Sequence, residues 1–317
     1  MTVVDFLVII PAFRRPDHLR DAIEGALNQP GVTKIILVID DSPEGSSESA
    51  ASQFGTGVSY VKMPNATGGW PGLVRNYGLE HAARLNIDAF FVHFLDDDDI
   101  PAPGIYSDAK MAFQKEPVGV VFGAMKPFCD FSSDSQTRDR QKDQLLKVSQ
   151  WQSHIRALST IYAKITSFSR PLGQWLFRSQ YLYSHELFLC SAAMIRYSRV
   201  GELSGFDTQT RITEDYEFYT RAINSFGVFY LNKVSVFYRT GSTGALWNPL
   251  ALEAAAEREH KSEVAETLRK RKERLRAQLG MFRFLSEKLL FRLALFLLNR
   301  TVVKSVRKQL NSDMTPR

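Results

Sequence analysis

Five short apolar runs mark the first part of the chain: 6–10 (FLVII), 35–39 (IILVI), 58–61 (VSYV), 89–95 (AFFVHFL) and 118–122 (VGVVF). They are rich in branched and aromatic residues with little polar alternation, the pattern of strands buried on both faces. Between the first two, PDHLRDAIEGALNQPG sets Leu19, Ala22, Ile23, Ala26 and Leu27 at helical spacing and stops at Pro-Gly. A second helix is expected over 71–85, PGLVRNYGLEHAARL, with Pro71 at its first position, where a missing N–H costs nothing. Strands alternating with helices predict an α/β fold with a mostly parallel sheet, and such sheets bind ligands at the carboxyl ends of their strands. Three of those ends carry conspicuous polar residues: Pro11 to Arg15, Asp40 with Asp41, and Asp96 to Asp99. All three are expected to line one crevice.

Beyond the fifth run the pattern loosens. Residues 130–182 begin polar (SSDSQTRDRQKDQ) and continue as helix with scattered aromatics, an excursion from the sheet. Strand patterns return at 187–195 (LFLCSAAMI) and 228–239 (VFYLNKVSVFYR), and from 250 the chain reads as helix to its end. The expected division is one domain over 1–249 and a helical tail over 250–317, with no internal repeat.

With 317 residues and 44% hydrophobic content, the chain can bury a full core. Its two cysteines, Cys129 and Cys190, sit among apolar neighbours and point to a reducing compartment without a disulfide framework. Asp5 precedes the first apolar run and the arginines follow it, the reverse of a signal peptide. No uncharged apolar run approaches the ~18 residues that would span a bilayer, so a cytoplasmic location is expected. Charge is unevenly spread: residues 269–317 hold 14 Lys and Arg against three acids, a net of +11, which leaves residues 1–268 at −5.

That basic excess suits nucleic acid or anionic lipid, and the tail's own sequence favours lipid. MFRFLSEKLLFRLALFLLN, 281–299, spreads Phe284, Leu285, Leu289, Phe291, Leu295, Phe296 and Leu298 over much of a helix surface, broken by Arg283, Glu287, Lys288 and Arg292. It is too charged to span and too apolar to be solvated alone, which fits an interfacial helix on an anionic membrane surface. The alternative is a helix packed on its own domain or on that of a second subunit in a homo-oligomer.

The candidate chemistry starts with FVHFLDDDDI, 91–100, where a core strand runs into four carboxylates. Four like charges within ~14 Å of extended chain repel one another, and a bound cation would remove the conflict. Aspartate oxygens are hard ligands suited to Mg²⁺ or Mn²⁺, whose sites combine one or two carboxylates with substrate phosphates. A carboxylate at Asp40 or Asp41 can accept the imide N–H of uracil or thymine, although Asp before Ser-Pro is also a turn former. NATGGWPGLVRNYGL, 65–79, places Gly69 before a helix start and then Arg75, a combination that suits an anion. In TRITEDYEFYTR, Thr213 is a candidate cap for a helix opening with Glu214 and Asp215, acids that the helix dipole also favours. FYRTGSTGALW, 237–247, offers Arg239, Ser242 and Thr243 as a clamp for phosphate oxygens.

Taken in order, PAFRRPDHLRDAIEGALNQ, ILVIDDSPEGS, GGWPGLVRNYGL, HFLDDDD and GFDTQTRITEDYEFYTR resemble the family 2 glycosyltransferases of the GT-A fold, over about residues 5–245. The resemblance implies a nucleotide-sugar donor, UDP by preference, and a glycan or lipid-linked acceptor. It implies that Pro11, Ala12 and Phe13 line the nucleotide pocket and that Asp41, with Asp40 beside it, touches the base. It further implies that Asp96 and Asp97 contact ribose, that Asp98 and Asp96 hold the metal, and that Asp215 is the catalytic base with Glu214 as its neighbour. PAFRR departs from the family pattern, in which Asn often follows the aromatic residue. Four consecutive aspartates also leave the register of the metal pair open by one residue. His185, in YSHELFL, lies near where the family faces its acceptor.

These roles together describe inverting transfer of the sugar to a hydroxyl in cell-surface polysaccharide synthesis, at the inner face of the membrane. The alternatives are a sugar-nucleotide nucleotidyltransferase, whose glycine-rich basic loop PAFRRPD lacks, and an inert scaffold with the same fold.

Overall fold

The computed structural model describes residues 2–183, 188–209, 211, 213–240 and 286–294, together with Arg269 and Glu273. The apolar runs become strands β1 (Thr2–Ala12), β2 (Lys34–Asp40), β3 (Val58–Lys62) and β4 (Ile87–Phe94). A two-residue β5 (Ile100–Pro101) follows the acidic run, and β6 (Val120–Phe128), β7 (Ala193–Arg196) and β8 (Val228–Arg239) complete the set. All eight form one sheet in the order β3-β2-β1-β4-β7-β6-β8-β5. Strands β1 to β4 pair in parallel, as do β6 and β8; β7 runs antiparallel between β4 and β6, and β5 antiparallel beside β8. This is an α/β fold of the GT-A type, with a mostly parallel sheet flanked by helices.

The helices are α1 (Pro16–Leu27), α2 (Glu48–Ala51), α3 (Pro71–Arg84), α4 (Ile105–Lys115), α5 (Ser135–Phe168), α6 (Arg170–Tyr183), α7 (Tyr197–Val200) and α8 (Glu214–Phe226). Alternate strand residues enter different cores. Leu7, Ile9, Leu37 and Ile39 face a cluster that takes in Val74 of α3, Leu158 and Tyr162 of α5, Phe177 of α6 and Phe218 of α8. Phe6, Val8, Ile10, Ile36 and Val38 face a second cluster with Leu19 and Ile23 of α1 and Phe113 of α4. Both faces being dry is the reason the strands read as continuous apolar runs.

One expectation changes. The 187–195 pattern yields a strand only from Ala193, because Cys190–Ala192 make a single tight turn. There the Ser191 carbonyl meets His93 Nε2 at 2.9 Å and its hydroxyl accepts the Asp96 N–H at 3.0 Å, so this backbone serves the neighbouring loop instead of a ladder. The excursion at 130–182 is helical as expected, two helices packed together with the Tyr162 hydroxyl 3.0 Å from Gln180 Oε1.

Residues 286–294 are helical and dock on α6. Phe291 is buried against Trp175 and Tyr183, and Glu287 accepts bonds from Arg178 (2.8 Å) and the Tyr183 hydroxyl (2.9 Å). The same stretch leaves Leu289, Leu290 and Leu293 exposed. Among the described residues no helix is long and apolar enough to cross a membrane. His185, Ser242, Thr243 and most of the tail lie outside the described residues.

Candidate active site

The loop after β4 resolves its four like charges by giving every one a donor, with Arg15 shared between two of them. Asp96 Oδ1 accepts from Arg75 Nη2 at 2.7 Å. Asp97 accepts the Phe13 N–H at 2.9 Å and pairs with Arg15, which also pairs with Asp98. Asp99 Oδ1 accepts the Arg239 N–H at 3.2 Å. Exposure is uneven along the run: the Asp96 side chain is 33% exposed and that of Asp98 11%, whereas Asp97 and Asp99 are almost wholly enclosed. Asp96 is therefore the most accessible of the four, while the other three brace the first loop and β8.

Arg75 ties this run to the far end of the sequence. Its guanidinium is 3% exposed and joins Asp96 to Glu214, the latter at 2.5 Å, so the acidic run and the 214–215 pair meet in one place. The sequence allowed Arg75 to be a surface arginine; the fold buries it because α3 enters beside the start of α8. That approach needs Gly72, where a Cβ would lie 2.9 Å from Glu214 Cγ and 3.4 Å from Phe206 Cβ. The guanidinium also lies 5.3 Å from the centre of the Phe206 ring.

Asp40 and Asp41 end β2 with different jobs. Asp40 is fully buried and accepts from the Ser42 and Ser47 amides (2.9 and 3.2 Å) and the Tyr60 hydroxyl (3.0 Å), which fixes the turn. Asp41 accepts from the Thr67 amide (2.5 Å), the Thr67 hydroxyl (2.7 Å) and the Gly69 amide (2.7 Å). Gly69, at φ +84°, lies against the Phe13 ring, and its left-handed backbone suits glycine. Pro11 and Ala12 close β1 beside them, in register with Ile39 and Asp40.

The expected Thr213 cap does not form. Thr213 adopts φ 63°, its side chain bonds none of the first-turn amides, and Asp215 Oδ1 instead accepts the Tyr216 N–H at 2.7 Å. Burial and the neighbouring Asp215 push the Glu214 carboxyl up to about 7 against the pull of Arg75. Burial likewise raises Asp215, with Arg75 opposing. Burial raises Asp97 too, with Arg15 opposing and Asp98 reinforcing, and it lifts Asp99 well above the usual carboxylate range with help from Asp98 and Asp96.

Arg239 is 5% exposed and fully engaged: its Nε donates to the Asp98 carbonyl at 3.0 Å and its Nη atoms to Asp130 and to Asp21, the latter at 2.6 Å. Two contributors escaped sequence reasoning: Thr67 and Ser191 are ordinary by type and distinguished only by their distant partners. Arg15 was expected at a polar strand end but not as the partner of Asp97 and Asp98. His93 is fully buried and held near 4 by burial; in that neutral form Nδ1 accepts from the Tyr106 hydroxyl at 2.8 Å while Nε2 donates to Ser191.

Residues 7–184, more than half of the chain, match the model of the family described as glycosyl transferase family 2. The chain belongs to glycosyltransferase family 2. A relative of this family 2 chain is the minor teichoic acid biosynthesis protein GgaB of Bacillus subtilis (strain 168), 33% identical over 117 residues, 35% of this chain and 12% of that protein. Residues 1–349 of S. aureus TarS share the fold at TM-score 0.52 and 16% identity, covering 74% of this chain and 60% of that one. The mannosyltransferase PcManGT of Pyrobaculum calidifontis, solved with GDP-Man and Mn²⁺, does so at TM-score 0.52 and 13% identity, over 99% of this chain and 82% of that one. The family 2 chain thus spans a small part of GgaB and about three-fifths of that TarS fragment.

The donor set of this family 2 site fits a hard divalent cation. Asp96 to Asp99, Glu214 and Asp215 crowd around Arg15 and Arg75, while Arg239 is drawn off to Asp21 and Asp130, so acids outnumber the cations among them. Among the described residues no three acid, histidine or cysteine side chains already converge as a metal cluster. Mg²⁺ sites are often of this kind, completed by substrate phosphate and water.

Proposed function

We propose that the protein transfers a sugar, with inversion, from a nucleoside diphosphate sugar, UDP by preference, to a hydroxyl of a glycan or lipid-linked acceptor in cell-surface polymer synthesis. The observation that carries this reading is the Arg75 bridge, which ties the acidic run to Glu214, the neighbour of Asp215. Donor chemistry is supported by S. aureus TarS, solved with UDP-GlcNAc, and by PcManGT with GDP-Man and Mn²⁺. The likeness to a minor teichoic acid biosynthesis protein supports a surface-polymer acceptor.

In this mechanism Asp215 takes the proton of the attacking hydroxyl, a role in which positioned bases contribute ~10²- to 10⁴-fold. Its raised pKa makes it a better proton acceptor than an exposed aspartate. Glu214 and Arg75 hold Asp215 at the wall of the crevice. Asp96, the most accessible of the run, and Asp98 would hold Mg²⁺ or Mn²⁺, which when bound supplies charge to stabilise the leaving diphosphate. Asp41 and the Thr67–Gly69 turn shape the base pocket, with Phe13 as its apolar wall. Exposed Leu289, Leu290 and Leu293 on a basic tail fit peripheral attachment to an anionic membrane at its cytoplasmic face.

The test is donor hydrolysis and transfer, read by mass spectrometry, with UDP, dTDP and GDP sugars and Mn²⁺ or Mg²⁺. Asp98→Ala and Asp215→Ala should both lose transfer, and Asp215→Ala should still bind nucleotide. An inert scaffold would turn over no donor at all.

A further inference from the structure

The side chain covering the metal-facing carboxylate comes from the first loop. Arg15 sets one guanidinium nitrogen against Asp98 and the other against Asp97, a two-pronged grip with the side chain only 17% exposed. It caps the start of α1 without a side-chain bond of its own to that helix, and its Nε has no hydrogen-bond partner. Two residues earlier, the Phe13 amide donates to the same Asp97. The loop that walls the nucleotide pocket is thereby latched to the acidic run by one cation.

We propose that Arg15 is a resident counter-cation that blocks the divalent-metal position at Asp98 in the free protein, and that it is released onto the diphosphate when the nucleotide enters. This rests on the metal-dependent reading above and adds to it the order of events. A guanidinium bonded to Asp98 Oδ2 occupies an oxygen the metal would use, so metal alone must displace a bidentate pair. A diphosphate offers Arg15 a second anion within reach of its long side chain and gives the metal further oxygens. Metal and nucleotide therefore bind with positive coupling, and each raises the affinity of the other by the same factor.

The experiment is Mn²⁺ titration of the full chain followed by electron paramagnetic resonance, with and without UDP. Arg15→Gln is expected to tighten Mn²⁺ binding without UDP at least tenfold over wild type and to shrink the tightening that UDP produces. Arg15→Lys, whose ammonium cannot grip both acids in the same fork, should fall between them. Arg14→Gln removes the same charge one residue away, from a pair with Glu44 on the surface, and controls for the general field. Equal affinities in Arg15→Gln and Arg14→Gln, or undiminished UDP coupling in Arg15→Gln, would overturn the proposal. Binding that persists unchanged in Asp98→Asn, or is absent from every variant even with UDP, would instead remove the metal reading beneath it. Circular dichroism on each variant establishes that the fold is retained.

Discussion

Replacing Arg75 by methionine keeps much of its volume and removes the charge between Asp96 and Glu214. Breaking a buried pair from one side typically costs about 3–5 kcal/mol, because the remaining charge is left without compensation. Here the cost depends on pH. In the wild type, Glu214 titrates at about 7 in the folded protein against an ordinary 4.5, so the folded state holds this proton more tightly than the unfolded chain. That contribution is fully present below 4.5 and is lost as pH rises through 7, roughly 3 kcal/mol at 1.36 kcal/mol per unit. Without Arg75 the carboxyl rises further, so near pH 5 Glu214 is neutral in both proteins and the substitution should cost only about 1–2 kcal/mol, chiefly from Asp96. Near pH 8.5 the wild type has an ionised, paired Glu214 where the variant has none, and the full cost of about 3–5 kcal/mol is expected. Urea unfolding at several pH values, without divalent cations, reads the difference directly. Adding Glu214→Gln to the variant should flatten its pH dependence. A loss independent of pH, or larger in acid, would refute the reasoning.

Further outcomes are expected. Asp215→Asn should lower kcat by about 10²- to 10⁴-fold with donor affinity changed less than about threefold, measured by steady-state kinetics and UDP titration. Gly72→Ala should cost about 1–3 kcal/mol in thermal unfolding, because its Cβ meets Glu214 and Phe206. His93→Phe should cost about 1–3 kcal/mol for each of the two groups it orphans, the Tyr106 hydroxyl and the Ser191 carbonyl. In the wild type His93 should stay neutral by NMR down to about pH 5, its stabilisation being lost only as pH falls through 6.5 toward 4. Glutamate at Leu289, Leu290 and Leu293 together, or deletion of residues 270–317, should cut co-sedimentation with anionic vesicles at least tenfold, and unchanged sedimentation would count against membrane attachment.

Much of the frame was legible because it is local. The strands at 6–10 and 35–39 announce themselves as runs, since each is sandwiched between two dry cores, and Pro71 marks the start of α3 to the residue. The turn at 190–192 was not legible, because its apolar residues match a strand while Ser191 commits its polar groups to His93 and Asp96. The same limit applied to Thr213, a good cap by type but held in a left-handed conformation where its side chain cannot reach the first-turn amides.

The sequence by itself determined the alternation of strands and helices, the three polar strand ends, and the presence of an acidic run and a Glu-Asp pair. Periodicity and residue type carry that information within a few residues of chain. Only the tertiary structure decided which partner each aspartate takes, that Arg75 is buried between two acids, and that Arg15 covers Asp97 and Asp98. The physical reason is that a buried charge takes its meaning from the countercharge packed against it. Those partners lie from 21 to 139 residues away in sequence and meet only where α3, α8 and the ends of β1 and β4 come together.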